Sequence, residues 1–366
     1  TETSDTLTWF FDAGAETFDY LNNGESVELT YTVQATDLTG ASDTQTVVIT
    51  INGTNDQPDI TIEATPADSA AATLTEDSPL TTNGTLTVTD LDITDTVTAS
   101  VETVDVTNGP DGGLANGTLL SMLTLKDSTD TTSAATTTIL GNTETSDTLT
   151  WFFDAGAETF DYLNNGESVE LTYTVQASDD TASDTQTVVI TITGTNDEPS
   201  VDIITTAGDS AAADLDETDN VLETSGTLTV TDADITDTVT ASVAPTVATV
   251  GPTGGLSNAA LQAMLTLDTA TILDNTETSD TLTWTCNSGA ADTFDYLNDG
   301  ESLQLTYTVQ ASDGTDSDTQ NVVITINGTN DAPSVDIITT AGDSAAADLD
   351  ETDNVLETSG TLTVTD

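Results

Sequence analysis

Apolar and polar residues alternate with a period of two through most of this chain. Segment 226–231 sets Leu228 and Val230 between threonines, and 237–243 sets Val239, Ala241 and Val243 between Thr and Ser. Segments 281–284, 302–310 and 319–326 continue the pattern with Leu, Trp, Tyr, Val and Ile on one side. Such alternation predicts strands with one face in a core and the other in water. Clusters such as Asn298-Asp299-Gly300 and Asp313-Gly314 separate these segments and predict turns. No proline interrupts them. One stretch, 256–265 with its match at 114–123, predicts a short turn of helix between strands. About seven Thr- and Val-rich strands per repeat predict an all-β chain of antiparallel two-sheet sandwiches.

The repeats are explicit. Residues 1–35 recur unchanged as 143–177, and a diverged copy begins at Thr276. The tripeptide Thr-Asn-Asp occurs at 54–56, 195–197 and 329–331, so each repeat runs from just after one Asn-Asp to the next. Four segments follow: 1–56, the C-terminal half of a repeat; 57–197 and 198–331, complete sandwiches; and 332–366, the N-terminal start of a further repeat that matches 198–232. This pattern reads as a window cut from a longer array. The alternative is a polymer in which the tail of one chain docks beside the head of the next.

Charge narrows the chemistry. The chain has 366 residues, 65 Asp and Glu, one Lys, no Arg and no His, for a formal net charge of -64. Such a chain repels itself unless counter-ions screen or ligate the carboxylates. Hard divalent cations suit an all-oxygen surface. Nucleic acid and anionic lipid are poor partners, because their recognition needs Lys or Arg. General acid–base and oxyanion chemistry also lose most of their usual groups, which argues against an enzyme. Cys286 is the only cysteine, so no intrachain disulfide exists, and it is expected to fill a small core-facing or edge position. No apolar run is long enough to insert in a membrane.

Every aromatic residue falls in the second half of a repeat. Trp9, Phe18, Tyr20 and Tyr31 have copies at Trp151, Phe160, Tyr162 and Tyr173, and at Trp284, Phe294, Tyr296 and Tyr307. Their alternating strand positions predict core packing rather than a sugar-binding platform. Trp9-Phe10-Phe11 is a run of three, so at least one ring is expected to face outward.

The acidic residues recur at set places. Asn55-Asp56, Asn196-Asp197 and Asn330-Asp331 each precede a proline by one or two residues. Asp90-Leu-Asp92-Ile-Thr-Asp95 and Asp232-Ala-Asp234-Ile-Thr-Asp237 follow a strand. Glu25, Glu167 and Glu301 close Asn/Asp-Gly-Glu turns; Asp37, Asp179 and Asp313 end the long strand Tyr-Thr-Val-Gln-Ala; Glu76, Glu217 and Glu351 lie earlier in the repeat. Asp-x-Asp lets two carboxylates converge on one ion while the side chain between them points away. Calcium takes about six to eight oxygens, so its ligands must come from several loops. A sandwich gathers its loops at its two ends, and in a tandem array those ends meet at the linker.

The ordered set 297–301, 307–313 and 323–333 resembles the cadherin pattern of a Leu-Asp-x-Glu turn, an Ala-x-Asp strand end and an Asn-Asp linker before proline. Gly-Thr-Asn-Asp-x-Pro together with Gly-Thr-Leu-Thr-Val-Thr-Asp is similar to the bacterial cadherin-like VCBS repeats of large secreted RTX-type adhesins. The resemblance covers the whole chain. It implies Greek-key, Ig/cadherin-like sandwiches arranged end to end, with calcium at each linker. Carried over position by position, the first set is Glu25, Asn55, Asp56, Asp90, Asp92 and Asp179. The second is Glu76, Glu167, Asn196, Asp197, Asp232, Asp234 and Asp313. The third is Glu217, Asp299, Glu301, Asn330, Asp331 and Asp366. Asn23 and Asn165 stand where the third copy has Asp299, which implies fewer or weaker ions at those junctions.

The expected function is structural: a calcium-stiffened stalk or fibre segment of a bacterial surface adhesin, extracellular and at the cell surface, serving cell adhesion or attachment in a biofilm. Its expected partners are calcium ions, adjacent repeats of the same chain and like chains in a fibre. The alternative is a binding module whose repeats contact glycans or neighbouring chains in a self-assembling filament. Catalysis is the least expected role, because a site for chemistry rarely needs multiplying in line.

Overall fold

Thr, Val and Ile dominate the alternating segments, and their branched side chains suit a pleated, half-buried surface. In the computed structural model, which describes residues 4–64, 67–127, 132–291, 293–351 and 354–365, these segments form strands throughout. Residues 1–196 and 197–366 make separate compact units, each described by itself.

The first unit opens with a hairpin of β1 (Ser26–Thr36) and β2 (Ser42–Asn52). Then come β3 (Asp59–Thr61), β4 (Ala71–Thr75), β5 (Thr81–Thr89), β6 (Val97–Asn108), the short helix α1 (Asn116–Ser121), β7 (Leu123–Lys126), β8 (Thr136–Leu140), β9 (Ser146–Asp154), β10 (Ser168–Ser178) and β11 (Ser183–Thr193). Beyond the hairpin they form two sheets, in the orders β3-β5-β9-β7 and β4-β11-β10-β6-β8. Every pairing is antiparallel except β4 on β11, which is parallel.

The second unit repeats the plan. Its strands are β12 (Ser200–Asp202), β13 (Ala212–Asp216), β14 (Glu223–Thr231), β15 (Val239–Val243), β16 (Ala248–Val250), β17 (Leu265–Leu267), β18 (Thr271–Leu273), β19 (Ser279–Asn287), β20 (Ser302–Ser312) and β21 (Ser317–Asn327), with helix α2 (Asn258–Gln262) before β17. The sheet orders are β12-β14-β19-β17 and β13-β21-β20-β15-β18, with β16 also on β20. Again one pairing, β13 on β21, is parallel. Short strands β22 (Ser334–Asp336) and β23 (Thr363–Thr365) pair near the C-terminus. The expected all-β sandwich is thus present, with a parallel edge strand that alternation alone does not predict. The helical turns fall inside the two predicted stretches.

One core fills each sandwich, over Ile60 to Ile192 and over Val201 to Ile326. Trp151 and Trp284 are fully buried, and each indole Nε1 donates to a backbone carbonyl, Ser69 O at 2.7 Å and Ser210 O at 2.8 Å. Gly84 and Gly226 lie across from them, where a Cβ would stand 2.4 and 2.5 Å from the indole ring. Tyr173 and Tyr307 are equally buried and donate to Leu119 O and Leu261 O, both at 2.8 Å. A fully buried large side chain contributes about 2–3 kcal/mol, so the aromatics in these two sandwiches serve the core. Of the triple 151–153 only Phe152 turns partly outward. Cys286 occupies the place of Phe153 and is buried, as a small core residue. Among the described residues no helix is long and apolar enough to cross a membrane.

Candidate metal centre

Strand β5 ends at Thr89, and the next residues fold into a tight acidic turn. Asp90 donates its N–H to Thr145 O at 3.0 Å, which ties the turn to the start of β9. The Asp92 N–H donates to Asp90 Oδ1 at 2.9 Å, and the Asp95 N–H to Asp92 O at 3.0 Å. These bonds turn the three carboxylates the same way, and one oxygen from each lies within 4.8 Å of the others. Asp90 and Asp92 are 3% and 1% exposed. Three of the oxygens, Asp90 Oδ2, Asp92 Oδ1 and Asp95 Oδ2, are buried without any hydrogen-bond partner. A buried carboxylate oxygen without a partner is costly, which makes this turn a candidate ion site.

The linker comes to this turn. The Asp56 N–H donates to Asp92 Oδ2 at 2.7 Å. Asn55 Nδ2 donates to Asp179 Oδ2 at 3.0 Å and to Asp56 O at 2.8 Å. Asn22 Nδ2 donates to Asp95 Oδ1, and the Asn22 N–H to Glu25 Oε2 at 3.1 Å. The first predicted set therefore converges in full: Glu25, Asn55, Asp56, Asp90, Asp92 and Asp179. The structure adds Asp95 and Asn22. Asp95 stands in the motif, three residues past the second aspartate, and that spacing was the signal available for it. Burial, and then the negative charge of Asp90, Asp92, Asp179 and Glu25, pushes the Asp95 carboxyl up to about 6. Burial is also the leading cause raising Asp90 and Asp92.

The second unit carries the same device after β14. The Asp234 N–H donates to Asp232 Oδ1 at 3.0 Å, and the Asp197 N–H to Asp234 Oδ2 at 2.8 Å. Asp232 and Asp234 are 4% and 1% exposed, and Asp232 Oδ2 and Asp234 Oδ1 are buried without a hydrogen-bond partner. Asp237 completes the triad. Burial, followed by the charges of Asp237, Asp313 and Asp197, pushes Asp232 up to about 6. Burial with Asp237, Asp197 and Asp232 pushes Asp234 up to about 7. Asp197, Asp232, Asp234 and Asp313 from the second predicted set thus share one field.

The remaining members of that set lie in the first unit around the strand end at Gly194. Buried Glu76 accepts through Oε1 from the Thr195 N–H and from Thr195 Oγ1 at 3.0 Å. The Gly194 N–H donates to Glu167 O at 3.0 Å, and Glu167 Oε2 accepts from the Asn164 N–H at 3.1 Å. These contacts hold the backbone leading into Asn196. The third set shows the same scheme. Glu217, 1% exposed, accepts from the Thr329 N–H at 3.0 Å and keeps Oε2 buried without a hydrogen bond. The Gly328 N–H donates to Glu301 O at 2.9 Å, and Asn330 Nδ2 donates to Asp331 O at 2.9 Å. Asp299 stands exposed in its turn, and Asp366 lies outside the described residues.

Each aspartate triad can hold a metal ion. The donors are all oxygens, which selects a hard cation. One oxygen of each triad member lies close enough to the others for a single ion to be shared among them.

No family model matches the chain, and no curated protein matches it. Among solved structures it is similar to extracellular cadherin domains 1–4 of protocadherin gamma B7, at 18% identity and a TM-score of 0.32, covering 85% of this chain and 60% of that one. It is also similar to an endo-fucoidan hydrolase of glycoside hydrolase family 107, at 15% identity and a TM-score of 0.21, covering 84% of this chain and 35% of that one. A third is the CooA pilin subunit from enterotoxigenic Escherichia coli, at 16% identity and a TM-score of 0.25, covering 37% of this chain and 96% of that one. The chain thus spans less than two thirds of the first two structures. The assignment of the fold, an all-β chain of sandwich repeats, rests on the strands and registers themselves.

Proposed function

We propose that this chain is a calcium-stiffened stalk or fibre segment of an extracellular, cell-surface adhesin of bacterial type, with a structural rather than an enzymatic role. The observation that carries the proposal is the pair of aspartate turns, one in each unit, whose buried oxygens have no hydrogen-bond partner. Calcium fits better than magnesium because the carboxylates and amides converge irregularly from several loops. Magnesium demands near-octahedral geometry and keeps its waters. Linker backbone enters both sites, through the N–H groups of Asp56 and Asp197. An ion at these turns would offset the mutual repulsion of the acids and fix the linker residue against its turn. Recurrence of the same device in successive repeats supports a mechanical role over a chemical one.

The test is equilibrium dialysis of the chain against calcium, beside a variant carrying Asp92→Asn and Asp234→Asn. Saturable binding that the double variant weakens at least tenfold is expected. Binding that is absent at millimolar calcium, or that the two substitutions leave unchanged, refutes the assignment.

A further inference from the structure

The two complete sandwiches repeat their cores closely but differ on one outer face. In the first, Phe153 of β9 points into the core, so alternation turns Phe152 to the outside of the sheet β3-β5-β9-β7. The register places Asn83 of β5 on one side of Phe152 and Thr124 of β7 on the other. Thr81 and Asp154 make the next outward pair, two residues along. An aromatic ring thus stands in the middle of a polar row. In the second sandwich the same row reads Ser225, Thr285 and Thr266, and the Thr266 hydroxyl donates to Thr285 O at 3.4 Å. The connections differ too: residues 127–135 join β7 to β8, where 268–270 join β17 to β18.

The face around Phe152 is hollowed. One cleft of about 370 Å³ is bounded by Asn83, Thr124, Ser133, Phe152 and Asp154. A second, of about 390 Å³, shares Thr124 and Asp154 with it and continues past Ser121 and Gly156. Each is of the size of a small-molecule site, and the shared wall makes them two compartments of one groove. Its polar groups are largely unspent. Asp154 Oδ1 accepts from the Gly156 N–H at 2.8 Å, which fixes the carboxylate and leaves Oδ2 for a ligand. The Asn83 amide and the Thr124 hydroxyl make no hydrogen bond to the described residues.

These groups select a class of ligand. An amide and a hydroxyl both donate and accept, and a carboxylate accepts, which matches the neighbouring hydroxyls of a sugar. Phe152 offers a ring face to the C–H side of a pyranose. Charge then decides between sugars. Asp154 and Glu158 border the groove, and the net charge of -64 repels an anionic ligand. Lys126, the one cation, lines neither compartment.

We propose that the outer face of β5, β9 and β7 binds a neutral oligosaccharide, with Phe152 stacked on one ring and Asn83, Thr124 and Asp154 holding its hydroxyls. Two compartments suit two or more linked rings. The groove lies at the start of β5 and the aspartate turn follows its end, so this site stands apart from the calcium reading. It gives one repeat of the array a recognition surface that the next repeat lacks.

The test uses the full chain and four neutral probes, cellotetraose, laminaritetraose, maltotetraose and mannotetraose, with tetragalacturonate as the anionic counterpart. Titration calorimetry is expected to show saturable binding of at least one neutral probe, with a dissociation constant of about 1 mM or tighter, and no binding of tetragalacturonate. Phe152→Thr and Asn83→Ser install residues that the second sandwich carries at 285 and 225, so both variants should keep the parent's unfolding transitions. Phe152→Thr should weaken binding roughly tenfold or more through lost apolar contact, and Asn83→Ser roughly threefold through a lost hydrogen bond. No binding of any neutral probe at about 10 mM, equal binding of tetragalacturonate, or affinity that survives Phe152→Thr would each overturn the proposal.

Discussion

Replacing Asp234 by Asn should stabilise the fold in chelator and lose most or all of that advantage in calcium. The carboxyl is 1% exposed, and one oxygen is held by the Asp197 N–H at 2.8 Å while the other has no hydrogen bond. Burial and the charges of Asp237, Asp197 and Asp232 raise its pKa from the ordinary 3.8 to about 7. At about 1.4 kcal/mol per tenfold change, keeping it ionised at neutral pH costs the apo fold up to about 4 kcal/mol, and solvent at the rim trims this to roughly 2–3 kcal/mol. Asparagine is nearly isosteric, keeps an acceptor for Asp197 and places its amide among the remaining carboxylates. In chelator the variant should therefore be more stable than the parent. With calcium at about 100 times its dissociation constant, each occupied site adds about 2.7 kcal/mol. A variant that binds about 100-fold more weakly keeps only about 0.4 kcal/mol of this. Calorimetric scans should thus show Tm of the second unit about 6–12 °C above the parent in chelator, at roughly 3–4 °C per kcal/mol. The advantage should shrink or reverse in calcium. A variant less stable than the parent in chelator, or equally shifted in both buffers, would refute the electrostatic reasoning.

Three further outcomes follow from the same structure. In chelator, the carboxyls of Asp90, Asp92, Asp95, Asp232 and Asp234, all raised on folding, contribute stability that is complete below the ordinary 3.8 and lost as pH rises; for Asp95 and Asp232 the loss runs through about 6, and for Asp234 through about 7. Urea midpoints at pH 5 should therefore exceed those at pH 7.5, and calcium should remove the difference; midpoints that rise with pH in chelator would contradict it. Gly84→Val puts methyl groups where a Cβ alone would stand 2.4 Å from the Trp151 ring, and should destabilise the first unit by about 3 kcal/mol while leaving the second unit's transition in place, as read by calorimetry. Burial pushes the Cys286 thiol up to about 11, so a thiol reagent at pH 8 should modify it only on unfolding; rapid labelling of the native chain would show that β19 opens.

Much of the strand pattern was legible, because a strand with one buried face writes its period directly into the residues. Segments 302–310 and 319–326 became β20 and β21 with bounds only slightly wider. The parallel pairing of β13 with β21 was not legible, since the partners lie far apart in sequence and alternation is blind to strand direction. Partner supply was equally invisible. Trp9 and Trp151 sit in identical nine-residue segments, and only the non-local strand β5 makes one of them core. At the candidate metal centre, Asp-x-Asp and Asn-Asp declare themselves because their spacing is local. Asp95 and Asp237 stand in the same motifs but outside the Asp-x-Asp pair, and the backbone bonds from Asp95 to Asp92 and from Asp237 to Asp234 bring them to it. Asn22 joins through a long-range contact to Asp95 that no motif carries.

Small-angle scattering of the full chain, in millimolar calcium and again in chelator, separates a calcium-stiffened stalk from a merely soluble acidic chain. A calcium-stiffened stalk should give a stiff, extended particle in calcium that becomes flexible or more expanded on chelation. Asp92→Asn with Asp234→Asn should give the chelated profile even when calcium is present. A profile that calcium leaves unchanged would refute calcium stiffening and assign the acidic turns to solubility alone.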